Sequence, residues 1–163
     1  MKLIQNFILF LLFTGISSSQ AQSMPSWKIT DVEQLMNRSD SVLVINFWAT
    51  FCKPCIEEIP YLQSISNKYK DEKVRLLLVS LDLAAFYPNR IEAFAKKHNF
   101  NSPMVWLNET NADHFCPKIE ESWSGAIPAT LIINNKTGYK KFVEEQIKPE
   151  EFEIELKKAI GKK

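Results

Sequence analysis

Trp48-Ala49-Thr50-Phe51-Cys52-Lys53-Pro54-Cys55 stands where two kinds of hydrophobic pattern meet. Before it, Val42 to Phe47 is a near-continuous apolar, β-branched run, the pattern of a central strand covered on both faces. After it, Ile59, Leu62, Ile65 and Tyr69 recur at helical spacing. Two cysteines separated by two residues therefore sit between a buried strand and an amphipathic helix, which is the placement of a redox site. A thiol at a helix N-terminus feels the positive end of the macrodipole and the unpaired N–H groups of the first turn, and both favour thiolate over thiol. Cys52, at the cap, is the expected nucleophile. Cys55, one turn into the helix and more sheltered, is the expected resolving thiol. Lys53 adds a positive charge, and Pro54 suits a first turn because its missing N–H would have had no helical partner.

Competing readings of the pair are weaker. C-x-x-C is also half of a structural zinc site, but only Cys116, His98 and His114 remain, and none makes a second paired motif. No metal site is expected. A purely structural disulfide across so small a ring gains little loop-closure stabilisation.

Three separated pieces resemble the thioredoxin superfamily, and within it the exported TlpA/ResA-like thiol-disulfide oxidoreductases: Asn46 to Cys55, Glu58 with Pro60, and Gly125-Ala126-Ile127-Pro128-Ala129-Thr130. The resemblance runs from about Val42 to Val143. It implies an α/β thioredoxin-like fold, with a central mixed sheet flanked by helices, and a Cys52–Cys55 redox-active disulfide. It also implies a cis bond between Ile127 and Pro128 opposite the cysteines, so that Ile127 can offer its N–H and C=O to an extended substrate chain. Trp48, Phe51, Ile127 and Pro128 are the substrate contacts it implies. Phe51 stands where the family usually carries tryptophan, and the Lys-Pro dipeptide between the cysteines occupies the positions that tune reduction potential.

Thioredoxins proper hold a buried aspartate where this chain has Asn46; this chain lacks that acid, as its exported relatives commonly do. Glu58 is the replacement acid, because three residues after Cys55 it lies on the same side of a helix. Partly desolvated there, it can hold a raised pKa and take the proton that Cys55 must lose before it attacks. Glu57, at a different angle, reads as a solvated helix residue.

Residues 1–21 read as a secretory signal: Lys2, an apolar core from Phe7 to Phe13, and the small-x-small site Ser19-Gln20-Ala21. The apolar run falls short of the roughly 20 residues of a membrane span. An uncleaved anchor is the alternative. Residues 22–163 then form one thioredoxin-like domain. The whole chain carries 20 basic and 19 acidic residues, and removal of Lys2 leaves 20 − 1 = 19 of each. That balance, without a basic stripe, argues against nucleic acid as a partner. Outside the cytosol, in a periplasm or another exported location, thiols are not held reduced by default, so a membrane electron donor is implied.

Elsewhere, Thr30-Asp31-Val32-Glu33 suggests a capping box for a helix with Val32, Leu35 and Met36 inward. Pro60 should kink the helix that follows Cys55. Val74 to Leu81 is a second buried strand, with Asp82 at its carboxyl end. Pro88 opens a helix with Ile91, Phe94, Ala95 and His98 on one face, His98 as a packing residue. Ser102 to Leu107 reads as a strand. In Asn108 to Trp123, Asp113 or Cys116 is expected to cap a helix entered through Pro117. Cys116 is a buried hydrophobe, a second reactive thiol, or with His114 a copper(I) ligand. Ala129 to Ile133 and Tyr139 to Val143 form a hairpin around an Asn/Gly-rich turn, and Pro149 opens a last helix reaching Gly161 with Phe152, Leu156 and Ile160 inward. The expected function is reduction of client-protein disulfides, apocytochrome cysteines among the clients, without a cofactor. A client-binding or copper-carrying module with little redox turnover is the alternative.

Overall fold

The computed structural model describes residues 24–162, so the signal segment expected at 1–21 lies outside the described residues. One six-stranded sheet runs in the order β1-β4-β3-β2-β5-β6: β1 (Ser26–Trp27), β2 (Val42–Trp48), β3 (Val74–Ser80), β4 (Met104–Leu107), β5 (Ala129–Asn134) and β6 (Tyr139–Val143). The four strands β1, β4, β3 and β2 are parallel, β5 pairs antiparallel with β2, and β6 pairs antiparallel with β5. This is the mixed sheet of a thioredoxin-like fold.

Alternation along the strands sorts the core into two layers, because successive strand side chains face opposite sides. Val42, Val44 and Trp48 of β2 face one layer with residues of α2 (Lys53–Lys68), α3 (Asn89–Lys97) and α5 (Pro149–Ile160). Leu43, Ile45 and Phe47 face the other, with α1 (Ile29–Arg38) and α4 (Ala112–Ile119). Asn46 shares the parity of Val44 and Trp48. It therefore lands on the α2 side, facing Glu58, and both residues are fully buried.

Several boundaries differ from the sequence reading. The first helix begins at Ile29, and the side chain reaching back to the Lys28 N–H is Asp31, at 2.8 Å, so the capping interaction lies two residues earlier than Thr30 and Glu33 suggest. Pro88 is the cap residue of α3, with helical geometry from Asn89, and the Tyr87–Pro88 bond is cis. β4 starts at Met104, two residues late, since Ser102 and Pro103 are spent on the approach to the sheet. The stretch Asn108 to Trp123 is capped by Asn111, whose side chain accepts from the Asp113 N–H at 3.0 Å. Cys116 and Pro117 lie inside α4, and Glu120 ends the helix instead of opening it. The two-residue β1 was too short to leave a pattern. α2 continues through Pro60 to Lys68, and α5 opens on Pro149 and ends at Gly161, whose φ of 83° is the left-handed geometry glycine adopts without penalty. His98 stacks on Phe94, with ring centroids 4.2 Å apart, the packing role expected of it.

Candidate active site

The two cysteines form a disulfide at the N-terminus of α2. Cys52 is the cap residue, and its Sγ accepts the Cys55 N–H at 3.3 Å. That contact is the local reason for the division of labour, since a hydrogen bond to sulfur from a first-turn N–H stabilises negative charge on Cys52. Cys52 keeps 7% of its surface in water and Cys55 none. An incoming disulfide therefore meets Cys52 first. The Lys53 ammonium points to solvent and pairs with Glu57 at 3.7 Å, so its charge is largely spent away from the thiols.

Glu58 is fully buried one turn beyond Cys55. One carboxyl oxygen accepts from Asn46 Nδ2 at 2.7 Å and the other from the Ile147 N–H at 3.2 Å. Burial pushes its pKa up to about 7, and these two hydrogen bonds pull the other way without cancelling it. The Asn46 amide also donates to Thr130 Oγ1 at 2.9 Å, tying the acid to β5, while Asn46 Oδ1 has no partner among the described residues. Tyr61 donates to the Ile147 carbonyl at 2.7 Å, which fixes the segment that holds Glu58 from the far side.

The second half of the site arrives through β5. Ala129 pairs with Phe47, so Pro128 lies one step further, at the end of β2 from which the chain departs toward Cys52. The Ile127–Pro128 bond is cis, Pro128 is buried and Ile127 half-buried. The loop leading there is pinned by Glu144, which accepts from the Ser124 and Ala126 N–H groups at 2.9 and 3.1 Å. Gly125, at φ 94°, makes the turn against Cys116.

Not every expected contact residue faces outward. Phe51 is 70% exposed beside Cys52, as a substrate contact requires, but Trp48 has no exposed surface. Its indole packs on Phe100 at 5.4 Å and Phe94 at 6.2 Å, because β2 alternation turns it inward; it supports the site as core and offers no surface to a substrate. Cys116 is buried in α4 and its thiol is pushed up to about 11, foremost by burial. That suits a small hydrophobe. It opposes a reactive thiol or a copper ligand, both of which need the thiolate. His114 on the same helix is exposed, and among the described residues no group of three His, Cys, Asp or Glu is placed to hold a metal ion.

Asp82 has more contacts than its position at the end of β3 suggested. Its buried carboxylate accepts from the Thr50 N–H at 3.1 Å, the Thr50 hydroxyl at 2.6 Å and the Ser80 hydroxyl at 2.9 Å. It thereby fastens the loop before Cys52 to the sheet. The spacing of Thr50 and Asp82 carried no sign of this, nor did that of Asn46 and Thr130, because both pairs meet only after strand pairing.

The family model for AhpC/TSA matches residues 20–138, from before the sheet into the final hairpin. The chain belongs to the AhpC/TSA family. Among curated proteins it is similar to the thiol-disulfide oxidoreductase ResA of Bacillus cereus, 27% identical over 85% of this chain and 81% of that protein. A thioredoxin-related protein from Neisseria meningitidis shares the fold at 24% identity, with a TM-score of 0.61 over 78% of this chain and 87% of that one. So does a thiol:disulfide interchange protein of the thioredoxin family from Chlorobium tepidum, at 15% identity and a TM-score of 0.62 over 88% and 100%. The Cys52–Cys55 pair of this family member thus sits at a helix N-terminus of a thioredoxin-like fold, with the buried Glu58 carboxyl one turn beyond it.

Proposed function

We propose that this protein is an exported thiol-disulfide oxidoreductase that reduces disulfides of client proteins. The observation that carries the reading is the asymmetry of the pair: Cys52 partly exposed at a helix cap, Cys55 buried, and Glu58 one turn deeper with its pKa near 7. Reduced Cys52 attacks one sulfur of the client disulfide as thiolate, and the first client thiol leaves. Cys55 gives its proton to ionised Glu58 and attacks Cys52 Sγ. The second client thiol leaves, taking up a proton, and the pair is left oxidised. A catalytic acid poised near the working pH suits that transfer in both directions.

Phe51, Ile127 and Pro128 form the surface on which the client chain lies, in the manner of strand addition. The expected signal segment 1–21 supports export. Among the described residues no helix is long and apolar enough to cross a membrane. Periplasmic placement, a membrane-bound electron donor, apocytochrome clients and the reducing direction belong to this reading. Its test is the reduction potential of the Cys52/Cys55 pair in the mature chain. A value near about −270 mV supports a reductase, whereas a value near about −120 mV makes the protein a disulfide donor and reverses the direction. The client-binding alternative without turnover predicts no oxidation of the reduced pair by a disulfide substrate.

A further inference from the structure

Among the described residues only three large apolar side chains stand exposed: Phe51 at 70%, Leu83 at 69% and Ile154 at 51%. Two of the three lie on the segments that the Asp82–Thr50 contacts hold together just before Cys52. Phe51 immediately precedes Cys52, and Leu83 follows Asp82 on the loop above β3. The Asp82 carboxylate clamps these loops to one another through the Thr50 N–H and hydroxyl, and the Leu81 N–H donates to the Trp48 carbonyl at 2.8 Å. Leu83 is continued by exposed Ala84 and Ala85. Lys53, next to Cys52, is already paired with Glu57 at 3.7 Å.

We infer that Phe51 and Leu83 form an apolar platform beside Cys52 that selects client disulfides whose cysteine is flanked by bulky apolar residues. The inference rests on the oxidoreductase reading and gives its site a substrate class. Two arguments support it. Exposed phenyl and isobutyl groups gain by leaving water, and the Asp82–Thr50 contacts hold the Leu83 loop against the residues just before Cys52, so a chain that reaches the sulfur passes over this surface. The clamp is also made of a buried carboxylate holding three donors, so the platform is preorganised and its use costs little ordering. Leu83 is the specificity residue that no motif near the cysteines announces.

The test uses the mature protein in its dithiol form, in single turnover, with two symmetric disulfide-linked peptide dimers. One has leucine and phenylalanine on either side of its cysteine, the other serine on both sides. Each reaction oxidises one protein dithiol to the Cys52–Cys55 disulfide and releases two peptide thiols, so electrons and protons balance without a further reagent. The expected result is a preference of about tenfold in the second-order rate constant for the apolar peptide, the scale of partial burial of one or two apolar side chains. Leu83→Ser should cut that preference by about threefold or more through weaker binding, with a smaller change for the serine peptide. Ile154→Ser, an equally apolar surface site on α5, serves as the control and should change neither rate.

Equal rates for the two peptides in the unaltered protein overturn the platform while leaving the oxidoreductase reading intact. So does a Leu83→Ser variant whose two rates fall in the same proportion. If the dithiol protein reduces neither peptide, the oxidoreductase reading itself fails and the platform falls with it.

Discussion

Replacing Glu58 by glutamine tests the buried acid in two independent ways. The folded protein holds this carboxyl up to about 7 against an ordinary 4.5. Between these values the folded state therefore binds more protons than the unfolded state, and stability falls as pH rises. The sign is opposite to that of a salt-bridged carboxylate. The loss starts near the unfolded value and is complete above the folded one, and the interval corresponds to about 3 kcal/mol. Glutamine cannot ionise, so it removes this slope. It must still face the Asn46 and Ile147 donors with one amide, which adds an offset of about 1–3 kcal/mol that does not vary with pH. The pH dependence of the difference between the two proteins isolates the carboxyl. In urea, with a slope of about 2 kcal/mol per molar, the oxidised parent should lose about 1.5 M in midpoint relative to the variant on going from pH 4 to pH 8. Kinetically, the second phase of thiol exchange, in which Cys55 displaces the client, should slow about 100-fold or more at pH 7, and the inflection near pH 7 should vanish. Glu57→Gln, which removes only a surface pair with Lys53, should reproduce neither effect. Parallel pH profiles for the parent and Glu58→Gln, or equal exchange rates for Glu57→Gln and Glu58→Gln, would refute the reasoning.

Asp82→Ala strands the Thr50 N–H and the hydroxyls of Thr50 and buried Ser80, and should cost the oxidised protein about 3 kcal/mol or more, read as a urea midpoint; Asp82→Asn, which keeps an acceptor, should lose less. Cys116→Ser puts a hydroxyl where a buried thiol packs, and should cost about 1–3 kcal/mol while leaving the potential of the Cys52/Cys55 pair unchanged; a shifted potential would make Cys116 part of the redox centre. Asn46→Asp sets a second carboxyl beside Glu58, and since two such groups in contact do not both ionise readily, its stability should fall more steeply with pH than the parent's through neutrality. An identical slope would mean that the aspartate turns away from Glu58.

How much of this was legible beforehand follows from where each interaction lies along the chain. Cys52, Cys55, Pro54 and Glu58 are within one helix, so spacing alone placed the cap, the buried thiol and the acid relative to one another. The cis bond before Pro128 was accessible only through the family resemblance, because nothing in a lone Ile-Pro dipeptide distinguishes the isomers. The resemblance implies Trp48 as a substrate contact, yet strand parity already pairs it with Val42 and Val44, which face the α2 layer. Parity was the better guide. In α4 a cysteine and a proline drew attention to themselves as boundary residues. The cap fell to Asn111 because an asparagine side chain can accept the Asp113 N–H, whereas a thiol accepts weakly.

The position of the acid has a consequence for how the site is held. An acid on β2 would take its orientation from one strand. On α2 it needs fixing from outside the helix, and two segments distant in sequence provide it: Asn46 from β2, itself anchored on Thr130 of β5, and the Ile147 N–H from the approach to α5, anchored in turn by Tyr61. Thr130 lies two residues after Pro128, so the strand that brings the proline to the cysteines also carries the tether of the carboxyl. The proposed substrate surface and the proposed proton acceptor are thereby linked by one short piece of β5. Shifting its register by a single residue would turn Thr130 to the opposite face of the sheet, breaking the tether while it displaced Pro128. Catalytic geometry in this protein accordingly depends on the pairing of β2 with β5 as much as on the helix that carries the thiols.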